Sequence, residues 1–128
     1  MCIRDSYNTK PHVGYLFASL DKISKIGRYT GTGNNINVDC GFIAGARFVM
    51  IKRTDTEIAG VAGTNWYYWD SVRGIVAGND PYMMINRTEA QVTNTDYIDP
   101  LNAGFTVTAS ASASLNASGG TYLFLAIA

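Results

Sequence analysis

The sequence predicts an all-β fold, an antiparallel β-sandwich of jelly-roll-like kind, and three observations carry that prediction. Short β-branched or aromatic runs alternate with segments rich in Gly, Asn, Thr and Ser, with 13 glycines in the chain, while helical periodicity is weak throughout. Four aromatic residues follow one another in NWYYWDSVRG, and aromatic side chains favour strands. The closing octamer TYLFLAIA is apolar on both sides of a strand, the pattern of a strand covered on both faces.

The opening MCIRDS, residues 1–6, reads as translated adaptor sequence and is set aside; on that reading the chain is the C-terminal piece of a longer polypeptide. Residues 7–22 are expected to form the closing strand of a preceding unit or the first strand of this one, and 23–128 the sandwich itself. The first run, 13–19, contains YLFAS, which echoes YLFLA near the end of the chain, about a domain length away. Strands are expected at 25–30 and 36–40, on either side of the Gly-rich YTGTGNN. That stretch has a GxG but no following Lys-Ser/Thr, so it is a turn and not a phosphate cradle.

Strands at 46–53 and 66–71 are expected to pair, with Phe48, Val49, Met50 and Ile51 opposite the aromatic run. The period of two puts Trp66 and Tyr68 on one face and Tyr67 and Trp69 on the other, so at most two of the four can meet a ligand. A further strand is expected at 82–86, and one helical turn at 86–91. Over 105–116, Phe105, Val107, Ala109, Ala111, Ala113 and Leu115 alternate with Thr106, Thr108, Ser110, Ser112, Ser114 and Asn116. A flexible Ser/Ala linker has no reason to keep that parity, so a strand over 105–115 is preferred. NASGG then turns the chain into a last strand at 121–128. Left bare, that strand would aggregate; a sheet, a preceding domain or a neighbouring subunit must cover its second side.

A chain of 128 residues suits one domain, one that buries about two-thirds of its unfolded surface. Ten basic side chains balance ten acidic ones, so neither nucleic acid nor membrane is an expected partner. No apolar run approaches the roughly 18 residues that span a bilayer, and the N-terminal stretch lacks a secretion signal. Cys2 and Cys40 give no disulfide framework. Asn86-Arg87-Thr88 and Asn116-Ala117-Ser118 match the glycosylation pattern and read as turn chemistry.

No catalytic residue, cofactor or metal is expected. The single His12 and the lack of a nucleophile elbow leave no hydrolytic triad. Asp70 with Asp96 or Asp99 could supply a glycosidase pair, but Asp80-Pro81 and Asp99-Pro100 read as turns. Asp70 and Arg73 read as a local ion pair that fixes a turn. Zinc would require more Cys and His. Calcium could draw oxygens from GNDP (78–81) or NTDYID (94–99), yet neither has the spacing of a known calcium loop. The basic cluster Arg47, Lys52 and Arg53 reads as edge protection or a solvated face. The ligand-contact candidates are Trp66, Tyr68, Asp70 and Arg73, with core packing the default for the aromatics and sugar stacking the sharper alternative.

The segments GYLFASLDKISKIGRYTGTG, DCGFIAGARFVMIKRTD, NWYYWDSVRGIVAGNDPYMMIN and LNAGFTVTASASASLNASGGTYLFLAIA together resemble an uncharacterised C-terminal domain of tail-associated and other structural proteins of marine tailed bacteriophages. That domain often follows a laminin-G-like sandwich. The resemblance implies a non-enzymatic structural module of a virion, in a tail fibre or related appendage, that contributes to host-surface attachment. It implies as partners other virion subunits or a preceding domain, a homo-oligomer such as a trimer, and a host-surface glycan. It carries over no catalytic or binding residues. The alternatives are a carbohydrate-binding module using exposed aromatics and a glycan-degrading enzyme with two converging carboxylates. Compared with the family pattern, TEIAGVAGTN lengthens the segment before the aromatic run. This makes a candidate recognition loop with Thr56, Glu57, Ile58, Val61, Thr64 and Asn65.

Overall fold

A computed structural model describes residues 14–55 and 65–128. Cys2, His12 and the loop candidates Thr56, Glu57, Ile58, Val61 and Thr64 lie outside the described residues, as do residues 1–6. The elements are β1 Ser24–Thr30, β2 Ile36–Asp39, β3 Phe48–Arg53, β4 Trp66–Asp70, β5 Met83–Met84, β6 Ile98–Leu101, β7 Gly104–Val107, the one-turn helix α1 Ala113–Asn116, and β8 Thr121–Ile127. They form a five-stranded sheet ordered β1-β8-β3-β4-β5 and a three-stranded sheet ordered β2-β7-β6. Every pairing is antiparallel. The first two strands pair with the last two, β1 with β8 in one sheet and β2 with β7 in the other, the nested arrangement of a jelly-roll-like sandwich. No helix among the described residues is long and apolar enough to cross a membrane.

Strand parity builds the core. Val49 and Ile51 of β3, Tyr67 and Trp69 of β4, and Tyr122, Phe124 and Ala126 of β8 point inward, toward Val38, Phe105, Val107 and Ile98 of the smaller sheet. Phe105 meets Phe124 edge to face at 5.5 Å between centroids, joining the two layers. The ring of Phe124 lies so close over Gly27 that a Cβ there would stand 2.7 Å from it, so glycine in β1 makes room for an aromatic in β8. The aromatic run pairs with β3 as expected, Met50 opposite Tyr68 and Lys52 opposite Trp66. Tyr67 and Trp69 are buried, as core packing requires.

Tyr29 stacks on Tyr122 at 4.9 Å, and its hydroxyl donates to the Leu115 carbonyl at 2.7 Å. Burial holds that hydroxyl far above the usual phenol pKa, so it stays a donor at any working pH. Tyr29→Phe is expected to cost about 1–2 kcal/mol, the worth of one buried hydrogen bond and an orphaned carbonyl, measurable by urea denaturation.

Several expected elements are corrected. The strand foreseen over 105–115 ends at Val107, and the chain then turns into α1. Thr106, Thr108, Ser114 and Asn116 are buried whereas Ala109, Ser110 and Ala113 are exposed, so the alternation does not sort a dry side from a wet one. Ser and Ala gain little by pairing in a sheet, and the stretch is held instead by side-chain hydrogen bonds to backbone groups of other segments. Thr108 Oγ1 donates to the Asp96 carbonyl at 2.6 Å, and Asn35 Oδ1 accepts from the Ala109 amide at 2.7 Å. Asp99-Pro100, expected as a turn, lies inside β6, at the edge of its sheet, where a missing amide proton is tolerated. Residues 86–91 form no helical turn, and 14–19 form no strand.

Candidate functional site

The second side of β8 leads to the candidate site. Leu123, Leu125 and Ile127 point away from the sandwich core, and the register sets Leu123 beside Lys52 and Arg28, and Leu125 beside Met50 and Ile26. On β4 the same parity brings out Trp66 and Tyr68. The outer face of the five-stranded sheet is therefore apolar along its middle, with cations toward its margins.

The chain before β1 folds back over this face. Leu20 and Ser24 pair across a tight reversal in which Lys22 adopts φ 59°. The Ile26 amide donates to Ser19 Oγ at 3.0 Å, and Ser24 Oγ donates to the Ala18 carbonyl at 2.7 Å. Residues 14–20 are thus tied to the β1 edge, and Tyr15 and Phe17 extend over the sheet. Together with Ile26, Met50, Trp66, Ile85, Leu123, Phe124 and Leu125 they line an open groove of about 410 Å³. Leu125 is covered at its floor, whereas Tyr15 is 82% exposed, Ile85 60% and Phe17 55%. Among the described residues, none of those lining the groove is a carboxylate, imidazole or thiol. The groove offers mainly carbon surface.

Of the sequence-selected quartet Trp66, Tyr68, Asp70 and Arg73, Trp66 lines the groove and the other three do not. Asp70 Oδ1 accepts from the amides of Val72 at 3.1 Å and Arg73 at 2.9 Å, and Asp70 Oδ2 pairs with Arg73 Nη1 at 3.2 Å. The expected turn-fixing ion pair is present, and the carboxylate of Asp70 is committed to it. The Arg73 guanidinium sits 5.2 Å from the Tyr68 ring centroid, Phe48 stacks on Tyr68 at 6.1 Å, and Lys52 Nζ stands 5.3 Å from the Trp66 ring. Each outward ring therefore has a cation near it. The basic cluster is likewise engaged within the chain, since Arg53 binds Asp55 at 2.7 Å.

Asn65 departs from its expected place in a recognition loop. It is buried, and its Oδ1 accepts from Asn86 Nδ2 at 3.0 Å while Asn86 Oδ1 accepts from the Trp66 amide at 2.9 Å. The Asn65–Asn86 pair thus ties the start of β4 to the residues after β5. Cys40 is a buried free thiol, pushed up to about 11 by burial and then by Asp39. It stays protonated at neutral pH and is a poor nucleophile.

Sequence reasoning missed one constellation. Asp80, Asp96 and Asp99 each place a carboxylate oxygen within 4.8 Å of the others. The two segments weighed separately as oxygen sources, GNDP and NTDYID, meet in space. The Asp80 amide donates to the Thr95 carbonyl at 2.8 Å, and Gly78 donates to Asp99 Oδ1 at 3.2 Å. Asp80 is fully buried, which its reading as a surface turn residue did not anticipate. Only an acidic residue on either side of a chain excursion marks the cluster in sequence.

The model of the family described as a domain of unknown function, DUF7483, matches residues 2–128, and the chain belongs to that family. No match was found among the curated proteins or among the solved structures.

Proposed function

We propose that this DUF7483 domain is a non-enzymatic structural module that works by assembly, packing the outer face of its five-stranded sheet against a second copy of the same chain. The setting we propose is the one the sequence resemblance implies, a phage tail fibre or related virion appendage. The apolar groove over β8 carries the reading. A sheet face with Leu123, Met50 and Trp66 at its centre and Tyr15, Phe17 and Ile85 projecting beside it has the apolar centre and mixed rim of a subunit interface. The rim carries Arg28, Lys52 and Arg73, with Asp70 already paired to Arg73, so it is the apolar centre, and not rim charge, that would hold a second copy across a two-fold or in a closed ring.

A carbohydrate-binding reading draws on the same strand, because Trp66 and Tyr68 share the outer face. Sugar stacking calls for open ring faces, whereas Phe48 stacks on Tyr68, the Arg73 guanidinium lies over the Tyr68 ring and Lys52 lies over the Trp66 ring. Assembly fits the chemistry of the face more closely.

Sedimentation velocity over a range of protein concentrations tests the proposal. The chain is expected to self-associate, and Tyr15→Glu with Ile85→Glu, at 82% and 60% exposure, is expected to weaken association at least tenfold while leaving the melting temperature of the dilute monomer unchanged. A wild-type chain that sediments as a monomer at every concentration would sink this reading.

A further inference from the structure

We infer that Asp80, Asp96 and Asp99 form a calcium site that joins the loop after β4 to the segment entering β6. The trio comes from two stretches well apart in sequence, and its carboxylate oxygens lie within 4.8 Å of one another. Calcium–oxygen distances of about 2.3–2.6 Å set ligands up to about 5 Å apart across the ion, while magnesium, at about 2.0–2.1 Å, demands a tighter cage. An all-oxygen donor set without Cys or His selects a hard cation over zinc or copper.

The second observation is independent of the clustering. Among the described residues, four buried side-chain polar atoms make no hydrogen bond, and three are oxygens of this region: Asp80 Oδ2, Asp96 Oδ1 and Thr95 Oγ1. Asp80 is 0% exposed. Its Oδ1 accepts from the Val76 amide at 2.7 Å, which leaves Oδ2 buried without a donor on a carboxylate that lies in the trio. A buried carboxylate oxygen without a partner is costly, and a neighbouring pair of carboxylates adds repulsion. Among the described residues, no arginine or lysine forms an ion pair with them. The ion pairs among the described residues involve Asp55, Asp70 and Glu89. A dication supplies the missing charge and takes up the orphan oxygens, with water and backbone carbonyls completing its shell of 6–8 oxygens. The second oxygen of Asp99 is spare, since only Oδ1 is engaged, by Gly78 at 3.2 Å.

The consequence is structural. The segment between β4 and β6 contributes only the two-residue strand β5 and an isolated Tyr82–Val92 bridge. An ion held by Asp80 on one side and by Asp96 and Asp99 on the other would clamp that excursion and tie the β5 edge of the larger sheet to the β6 edge of the smaller. The site is separate from the outer-face groove, so either proposal can fail without the other.

Terbium luminescence and thermal denaturation test it on the chelator-treated chain. Tyr82 and Tyr97 stack at 5.6 Å and flank the ligands in sequence, so they are the expected sensitisers. Terbium emission is expected to rise on binding and to be displaced by calcium at least tenfold more readily than by magnesium. Calcium at about 1 mM, the range of extracellular calcium modules, is expected to raise the melting temperature by several degrees. Asp99→Asn and Asp96→Asn, at partly exposed positions, are expected to keep the fold and weaken calcium at least tenfold. Unsensitised terbium together with a melting temperature indifferent to calcium overturns the site, as does an affinity equal in wild type and both variants. Tighter displacement by magnesium overturns the choice of ion.

Discussion

Asn116→Ala is expected to destabilise the domain by about 3–5 kcal/mol, read as a lowered urea midpoint with an unchanged denaturant slope. Asn116 ends α1 and is buried. Its Oδ1 accepts from the amides of Thr32 at 3.0 Å and Gly33 at 3.2 Å, and its Nδ2 donates to the carbonyls of Asn34 at 2.8 Å and Thr108 at 2.9 Å. One carboxamide thus satisfies four backbone groups from the β1–β2 connection and the exit of β7. Truncation removes all four bonds and leaves the Thr32 amide without an acceptor, whereas the Gly33 amide keeps the Asn116 carbonyl at 3.1 Å, the Thr108 carbonyl keeps the Ala111 amide at 3.2 Å and the Asn34 carbonyl keeps Thr32 Oγ1 at 3.2 Å. Those second partners keep the loss below four full desolvation penalties. Asn116→Asp tests the donor half separately: it keeps the shape and both accepted bonds but sets a carboxylate against two carbonyl oxygens, so it is expected to be about as damaging at neutral pH. A midpoint shift worth less than about 1 kcal/mol for the alanine variant would mean that the network is solvated and not structural.

The importance of Asn116 could not be read from its neighbours in sequence, and the reason is physical. Where strand parity rests on large side chains it decides the structure: Tyr67 and Trp69 go inward because nothing else in the chain gains as much from burial, and β1, β2, β3, β4 and β8 fall where the β-branched and aromatic runs put them. From Ala109 onward the same parity is kept by Ala and Ser, whose burial energies are too small to enforce a face. There, hydrogen bonding by Thr108, Ser114 and Asn116 decides. The strand β6 was hidden for a related reason: Pro100 signals a turn unless the strand is known to lie at a sheet edge, and edge position is a property of the whole fold. On the outer face, the apolar second side of β8 was legible, but the cover that residues 14–20 give it was not, because that cover depends on a reversal at Lys22. The carboxylate trio was least legible of all. Asp80 becomes unusual only when Asp96 and Asp99 arrive beside it, and that is decided by the tertiary path.

Asp80 also makes the metal-free domain sensitive to pH in a direction opposite to the ordinary acid denaturation of ion-paired proteins. Burial pushes its carboxyl from 3.8 up to about 7, against the pull of the Val76 amide, with Asp99 and Asp96 adding to the rise and the Ile98 amide opposing it. The Asp96 carboxyl is raised too, by burial and by Asp99. Because the folded chain holds this proton more tightly than the unfolded chain, the stabilisation is fully present below pH 3.8 and is lost as pH rises through about 7. At about 1.4 kcal/mol per pH unit, the gap comes to about 4 kcal/mol. Urea denaturation in chelator is therefore expected to give a stability that falls by about 2–3 kcal/mol between pH 5 and pH 8, the rest of the loss lying between pH 3.8 and pH 5, less whatever other groups contribute. Asp80→Asn removes the titrating group while keeping an acceptor for the Val76 amide, so its stability is expected to be nearly flat over the same window and to exceed that of the wild type at pH 8. Curves for the two proteins that run parallel from pH 5 to pH 8 would show that the Asp80 carboxyl is ionised and accommodated in the fold, and that its missing hydrogen bond is supplied by water.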